Sequence, residues 1–148
     1  MQIDVTVSGS QQIIDKFKRL DAKLKDLSPE FVKLGEYLTG YFSGESFLSQ
    51  GSVFGKHWNK LADGTTKSKS KKYPGRQPLE RSGAMRSGFR AKTAPMQLTI
   101  SNAVSYFGYH QSSEPRRVLP RRVMIGYNNT IKTKIRDTFH DGIARILQ

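Results

Sequence analysis

Residues 51–78 constrain this sequence more than any other feature, because they interrupt the apolar periodicity from which a core has to be built. The stretch holds four glycines and two prolines among many Ser, Thr and Lys residues, and few of its side chains would line up on an apolar face. It reads as a long extended basic loop. The core must therefore be assembled from the residues on either side of it. Structureless loops beyond about 12 to 15 residues are uncommon in compact domains and are usually functional or disordered. This one is expected to order against a partner.

On the N-terminal side, Ile3, Val5 and Val7 alternate with Asp4 and Thr6, the period of a half-buried strand. Ser8-Gly9-Ser10 breaks it, and Ser10 is suited to cap the helix that follows. Ile13, Ile14, Phe17, Leu20, Leu24 and Leu27 then recur at three- and four-residue steps, which predicts an amphipathic helix. Ser28-Pro29 starts a second helix, with Ser28 as N-cap and Pro29 at the first helical position. Its apolar side carries Phe31, Leu34, Leu38, Tyr41 and Phe42, with Leu48 as an extension.

On the C-terminal side, a short turn or helix over residues 79–85 leads to two alternating runs. Phe89 and Ala91 mark one and Met96, Leu98 and Ile100 the other. Thr93-Ala94-Pro95 joins them, predicting a β-hairpin in which Pro95 favours an edge. Residues 106–111 read as a short helix or turn, and 117–126 as an extended crossover. Ile131, Ile135, Phe139, Ile143 and Ile146 mark a final helix. Asn129 is its candidate cap, and Gly142 weakens it by roughly 1 kcal/mol. The expected fold is α+β: one small domain over 1–148 with two N-terminal helices, a small antiparallel sheet, the long basic loop and a C-terminal helix.

Charge narrows the function. The chain has 148 residues and a formal net charge of +13 from 25 Lys+Arg against 12 Asp+Glu. Residues 1–55 carry six basic and seven acidic side chains, so the excess lies wholly beyond them. Lys60, Lys67, Lys69, Lys71, Lys72, Arg76, Arg81, Arg86, Arg90 and Lys92 face only Asp63 and Glu80 over the same stretch, and Arg116, Arg117, Arg121 and Arg122 form a second cluster. Such clustering favours a polyanion or an acidic protein surface as partner.

Catalysis finds no candidates. Absence of cysteine excludes disulfides, thiol chemistry and Cys-ligated metals. His57, His110 and His140 lack metal spacing. Asp137 and Asp141 read as a solvated helix face, and no compact carboxylate cluster is visible for a metal-dependent nuclease. No phosphate-cradling glycine motif occurs, and no cofactor is expected. The polar start and the lack of any 18-residue apolar run lead to the expectation of a soluble, cytosol-made protein without a membrane partner. Trp58, Tyr73 and Phe89 interleave with the cations, which leaves non-specific nucleic-acid binding through phosphates as an alternative function. Trp58, in a Trp-x-x-Leu frame with Leu61, reads as a core or interface anchor before a base platform.

Four short motifs follow one another in the second half. They are His57-Trp58-Asn59-Lys60-Leu61 ahead of Thr65, Thr66 and a Lys-rich stretch; Leu79-Glu80-Arg81-Ser82-Gly83-Ala84-Met85-Arg86-Ser87; Tyr106 followed by His110-Gln111; and Leu119-Pro120-Arg121-Arg122-Val123-Met124-Ile125-Gly126. In this order they resemble the phage virion morphogenesis family, over about residues 30–148. Met85 stands where that family usually has Leu, Val123 where a second Pro is common, and Ser112-Ser113-Glu114-Pro115 where Gly often follows His-Gln.

The resemblance implies a structural protein of a tailed bacteriophage, a tail-completion or neck component that forms a ring, by analogy a hexamer, between head connector and tail. It implies a virion location after assembly in the host cytoplasm. Implied partners are further copies of itself, connector or head-completion proteins, tail terminator, tube or sheath proteins, and packaged DNA in the lumen. The expected interface, to protein or DNA, comprises Trp58, Lys67, Lys69, Lys71, Lys72, Arg76, His110, Gln111, Arg121 and Arg122. Within it, His110 and Gln111 are suited to bond a neighbouring backbone, and Arg122 to grip a carboxylate. Gly83 is expected to adopt a backbone conformation that other residues resist.

Overall fold

A computed structural model describes residues 10–113 and 119–148. The strand read at residues 3–7 and the cations Arg116 and Arg117 lie outside them. Among the described residues the fold is α+β, with helices at both ends and one antiparallel hairpin between them.

Helix α2 (Ser28–Ser43) is the centre of the core. Leu34, Leu38 and Phe42 recur at four-residue steps and are all buried. The hairpin, β1 (Phe89–Ala94) and β2 (Gln97–Asn102), packs across this face. Register runs from Phe89 opposite Asn102 to Ala94 opposite Gln97, so the connection is the two-residue turn Pro95-Met96 and Pro95 sits in it rather than in a strand. Gly35 makes the approach possible: a Cβ there would stand 2.9 Å from that of Ala91.

α2 begins without a side-chain cap of its own. Leu27 stands at the N-cap and Ser28, expected to cap, is the first helical residue, its backbone N–H donating to Asp26 Oδ1. The helix ends at Gly44, and α3 (Glu45–Leu48) turns Phe47 inward while Leu48, expected on the apolar side, is exposed.

Helix α7 (Asn129–Leu147) closes the other flank of α2. Its cap is Asn128, one residue before the expected Asn129, with Oδ1 accepting from Ile131 N. Gly142 has a role that helix propensity does not reveal. It is buried against α2, and a Cβ there would fall 2.3 Å from Glu30 Cγ. Glu30 in turn accepts from Arg145 Nη2 at 2.7 Å.

Helix α1 (Ser10–Leu24) forms as its periodicity predicts, but its apolar stripe is barely covered: Ile13 and Phe17 are 58% and 67% exposed. No helix among the described residues is long and apolar enough to cross a membrane.

The segment 51–78 is not the extended loop its composition suggests. A single 3-10 turn, Ser52–Phe54, is followed by helix α4 (Asp63–Lys72). None of the residues of α4 is buried. Asp63 in its first turn and Lys69, Lys71 and Lys72 in its last suit the helix dipole, which partly offsets poor propensities. A search for apolar periodicity has nothing to detect here.

Candidate interaction groove

The crossover 119–128 has no strand partner among the described residues, so its backbone groups must be satisfied otherwise. Three side chains do this in succession. Trp58 Nε1 donates to Val123 O at 2.8 Å, and Ser46 Oγ donates to Met124 O at 3.0 Å. Gln111 Oε1 accepts from Met124 N and Ile125 N at 2.9 and 3.0 Å while its Nε2 donates to Ile125 O at 2.6 Å. Gln111 lies at the end of α6 (Phe107–Gln111), which places it beside the crossover. Met124 is thereby held with no exposed surface.

Trp58 reaches its acceptor because Gly51 leaves room. Gly51 has φ of +81°, and a Cβ there would lie 2.3 Å from Trp58 Nε1. The indole packs edge-on against Phe47, centroids 5.3 Å apart, and is 3% exposed. Trp58 is therefore a core anchor and offers no stacking surface to a base.

Once pinned, the crossover forms one wall of a cavity of about 1110 Å³ whose other walls are α4 and the turn ahead of α5 (Ala84–Ser87). Thr65, Ser68, Lys69 and Lys72 line it, at the three- and four-residue steps of one helical face. Lys60, Arg81 and Arg122 add three further cations, and no carboxylate lines it among the described residues. Its apolar floor includes Leu61, Leu79 and Met85. Leu79 has φ of +65°, a left-handed conformation that costs a branched residue of order 1 kcal/mol and is tolerated where the surroundings impose it. Gly83, at φ +81°, takes the conformation expected of it.

Arg122 is the least exposed of these cations, at 4%. Its Nε and Nη2 donate to the Asn59 and Lys60 carbonyls, tying the fourth motif back to the first. No carboxylate among the described residues forms an ion pair with it. Burial lowers its pKa from the ordinary value, though the guanidinium stays charged.

His110 is 8% exposed, and its Nδ1 has no hydrogen-bond partner. Burial and then the Arg122 charge push its pKa down, while the ring's hydrogen bond to the Pro120 backbone opposes them. The imidazole is neutral at pH 7. Lys69 is also pushed down by burial; Glu80 pulls it back, and Arg122 and Arg76 push it down further. Its Nζ donates to the Gln77 carbonyl.

Of the residues singled out in the sequence, Lys69, Lys72, His110 and Arg122 meet at this cavity. Gln111 and Trp58 build its wall from behind. Lys67, Lys71 and Arg76 are exposed and do not line it, and exposed Arg121 donates from Nε to Gln111 O at 3.3 Å. Lys60 and Arg81 were visible as charges inside two motifs, but nothing in their spacing places them together. Arg81 also sits over the Tyr73 ring, 5.5 Å from its centroid.

No group of three or more metal-ligating side chains occurs among the described residues. What the cavity offers chemically is a cationic rim, a buried cation and an apolar floor. No family model matches the chain, and neither a curated protein nor a solved structure matches it.

Proposed function

We propose that this chain is a structural component of a tailed bacteriophage particle, a tail-completion or neck protein that assembles as a ring between head connector and tail. One observation carries the reading. The motifs that resemble the virion morphogenesis family, up to about 65 residues apart, are tied to one another by Trp58 to Val123, Arg122 to Asn59, and Gln111 to Met124 and Ile125, and together they frame one cationic groove. They act as parts of a single binding feature. The uncovered stripe of Ile13, Ile14, Phe17 and Leu24 on α1 supports self-association, since contiguous apolar patches of this kind mark interaction surfaces.

Native mass measurement on the purified protein, alone and mixed with connector and tail proteins of a tailed phage, tests the reading. Oligomers or mixed complexes are expected. A strict monomer that joins no such particle refutes it. The exposed Lys67, Lys71 and Arg76 favour one alternative, non-specific nucleic-acid binding. That reading predicts duplex affinity falling steeply with salt, together with no particle association.

A further inference from the structure

We infer that the groove between α4 and the 119–125 crossover is a docking site for an acidic, partly apolar peptide segment of another protein, whose carboxylate enters beside Arg122. The inference names the chemistry of a partner for the assembly role proposed above, but it stands on the groove alone.

Two features define the occupant. Arg122 is a nearly buried cation bonded only to carbonyls, in a cavity lined by four further cations and no carboxylate among the described residues. A buried charge is costly unless it is paired, and where no described carboxylate pairs it an incoming one supplies the counter-ion. The floor of Leu61, Leu79 and Met85 is apolar, which suits an aliphatic side chain flanking the acid and gives a phosphate nothing to contact. On α4, Lys67 and Lys71 are exposed outside the cavity, and Lys72 is exposed where it lines it.

We assign the segment to a different protein rather than to a second copy. The twelve acidic residues of this chain are dispersed, with no two closer than the four-residue step of Asp137 and Asp141, so the chain contains no acidic run to donate.

A fluorescein-labelled peptide of alternating Glu and Leu, read by anisotropy against the full-length protein at physiological salt, is the probe. Binding is expected, with Lys69→Glu/Lys72→Glu weakening it roughly tenfold or more, about 1.4 kcal/mol. Lys67→Glu/Lys71→Glu makes the same charge change on the same helix outside the cavity, and is expected to leave affinity within about twofold, the small effect of screened exposed charges. Arg122→Gln is expected to abolish binding, and the lysine pairs keep the test valid if that variant does not fold. Absence of peptide binding overturns the inference. So does equal loss in the two lysine pairs, which would mean diffuse attraction. Displacement of the peptide by duplex DNA at lower concentration than by unlabelled peptide overturns it in favour of a phosphate site. Ring formation is not measured here, so failure of this test leaves the assembly reading to its own experiment.

Discussion

Gln111 is where the fold of the groove can be tested most directly. Its amide makes three hydrogen bonds to the backbone of Met124 and Ile125, two accepted and one donated. Gln111→Leu keeps the bulk and removes all three. Each buried backbone group left without a partner costs about 1–3 kcal/mol, and the half-buried setting argues for the lower end, so the three together should cost roughly 3 kcal/mol. Gln111→Glu keeps the acceptor for both N–H groups but turns an oxygen toward the Ile125 carbonyl, and should cost about half as much. Urea unfolding followed by fluorescence measures both, because Trp58 is the sole tryptophan and lies against the same crossover. With m of about 1–3 kcal/mol/M, Leu should lower the midpoint by roughly 1 to 3 M. If Leu shifts it by less than about 0.3 M, or Glu is the more damaging of the two, the crossover is not held by this amide. The reasoning would then fail.

Three further outcomes follow from the packing. Gly142→Ala adds about 1 kcal/mol of helix propensity, yet its Cβ would stand 2.3 Å from Glu30 Cγ; thermal unfolding should show a net loss of about 1–2 kcal/mol, recovered in part by adding Glu30→Ala. Asn128→Ala removes the α7 cap and also the donors to Tyr41 Oη and Val53 O, both at 2.9 Å, and should cost about 2–3 kcal/mol in chemical denaturation, with Asn128→Asp keeping only the capping share. His110 has a depressed folded-state pKa, so the unfolded chain binds the proton more readily: stability should be intact above about pH 6.5 and fall as pH drops from there toward the folded value. His110→Gln should flatten that part of a stability-against-pH profile, and an unchanged slope would assign it to another group.

How far the sequence could be read depended on whether a segment is stabilised by apolar burial. Leu34, Leu38 and Phe42 are buried at helical spacing and were legible as a core face, as was Ile131 on α7. The hairpin alternation was legible too, with the turn displaced to Pro95-Met96. Caps were harder: Asn128 competes with Asn129, equally suited by type, and only geometry decides between them, while α2 has Leu27 at its N-cap and no capping side chain. Gly142 was read as a weakness of α7 when it is the point at which α7 meets Glu30, a contact that requires knowing the helices cross there. At the groove, Lys69, Lys72, His110 and Arg122 were legible as charged or polar motif residues. That they converge depends on hydrogen bonds between residues some 60 apart, for which local spacing carries no signal.

Helix α4 connects the unreadable part of the sequence to its function. Ten residues make a marginal helix in water, Thr and Ser propensities are modest, and Lys67 and Lys71 repel one another at i,i+4. With no buried residue, the helix has only its cavity face to hold it, where Lys69 feels the attraction of Glu80 and the repulsion of Arg122 and Arg76. A carboxylate bound between α4 and Arg122 would add attraction on both sides. Whatever binds the helical arrangement in preference to the open one stabilises it by the same differential free energy. If the docking proposed above holds, the property that leaves residues 63–72 without an apolar signature also couples their order to an anionic partner, through four lysines set against the single Asp63.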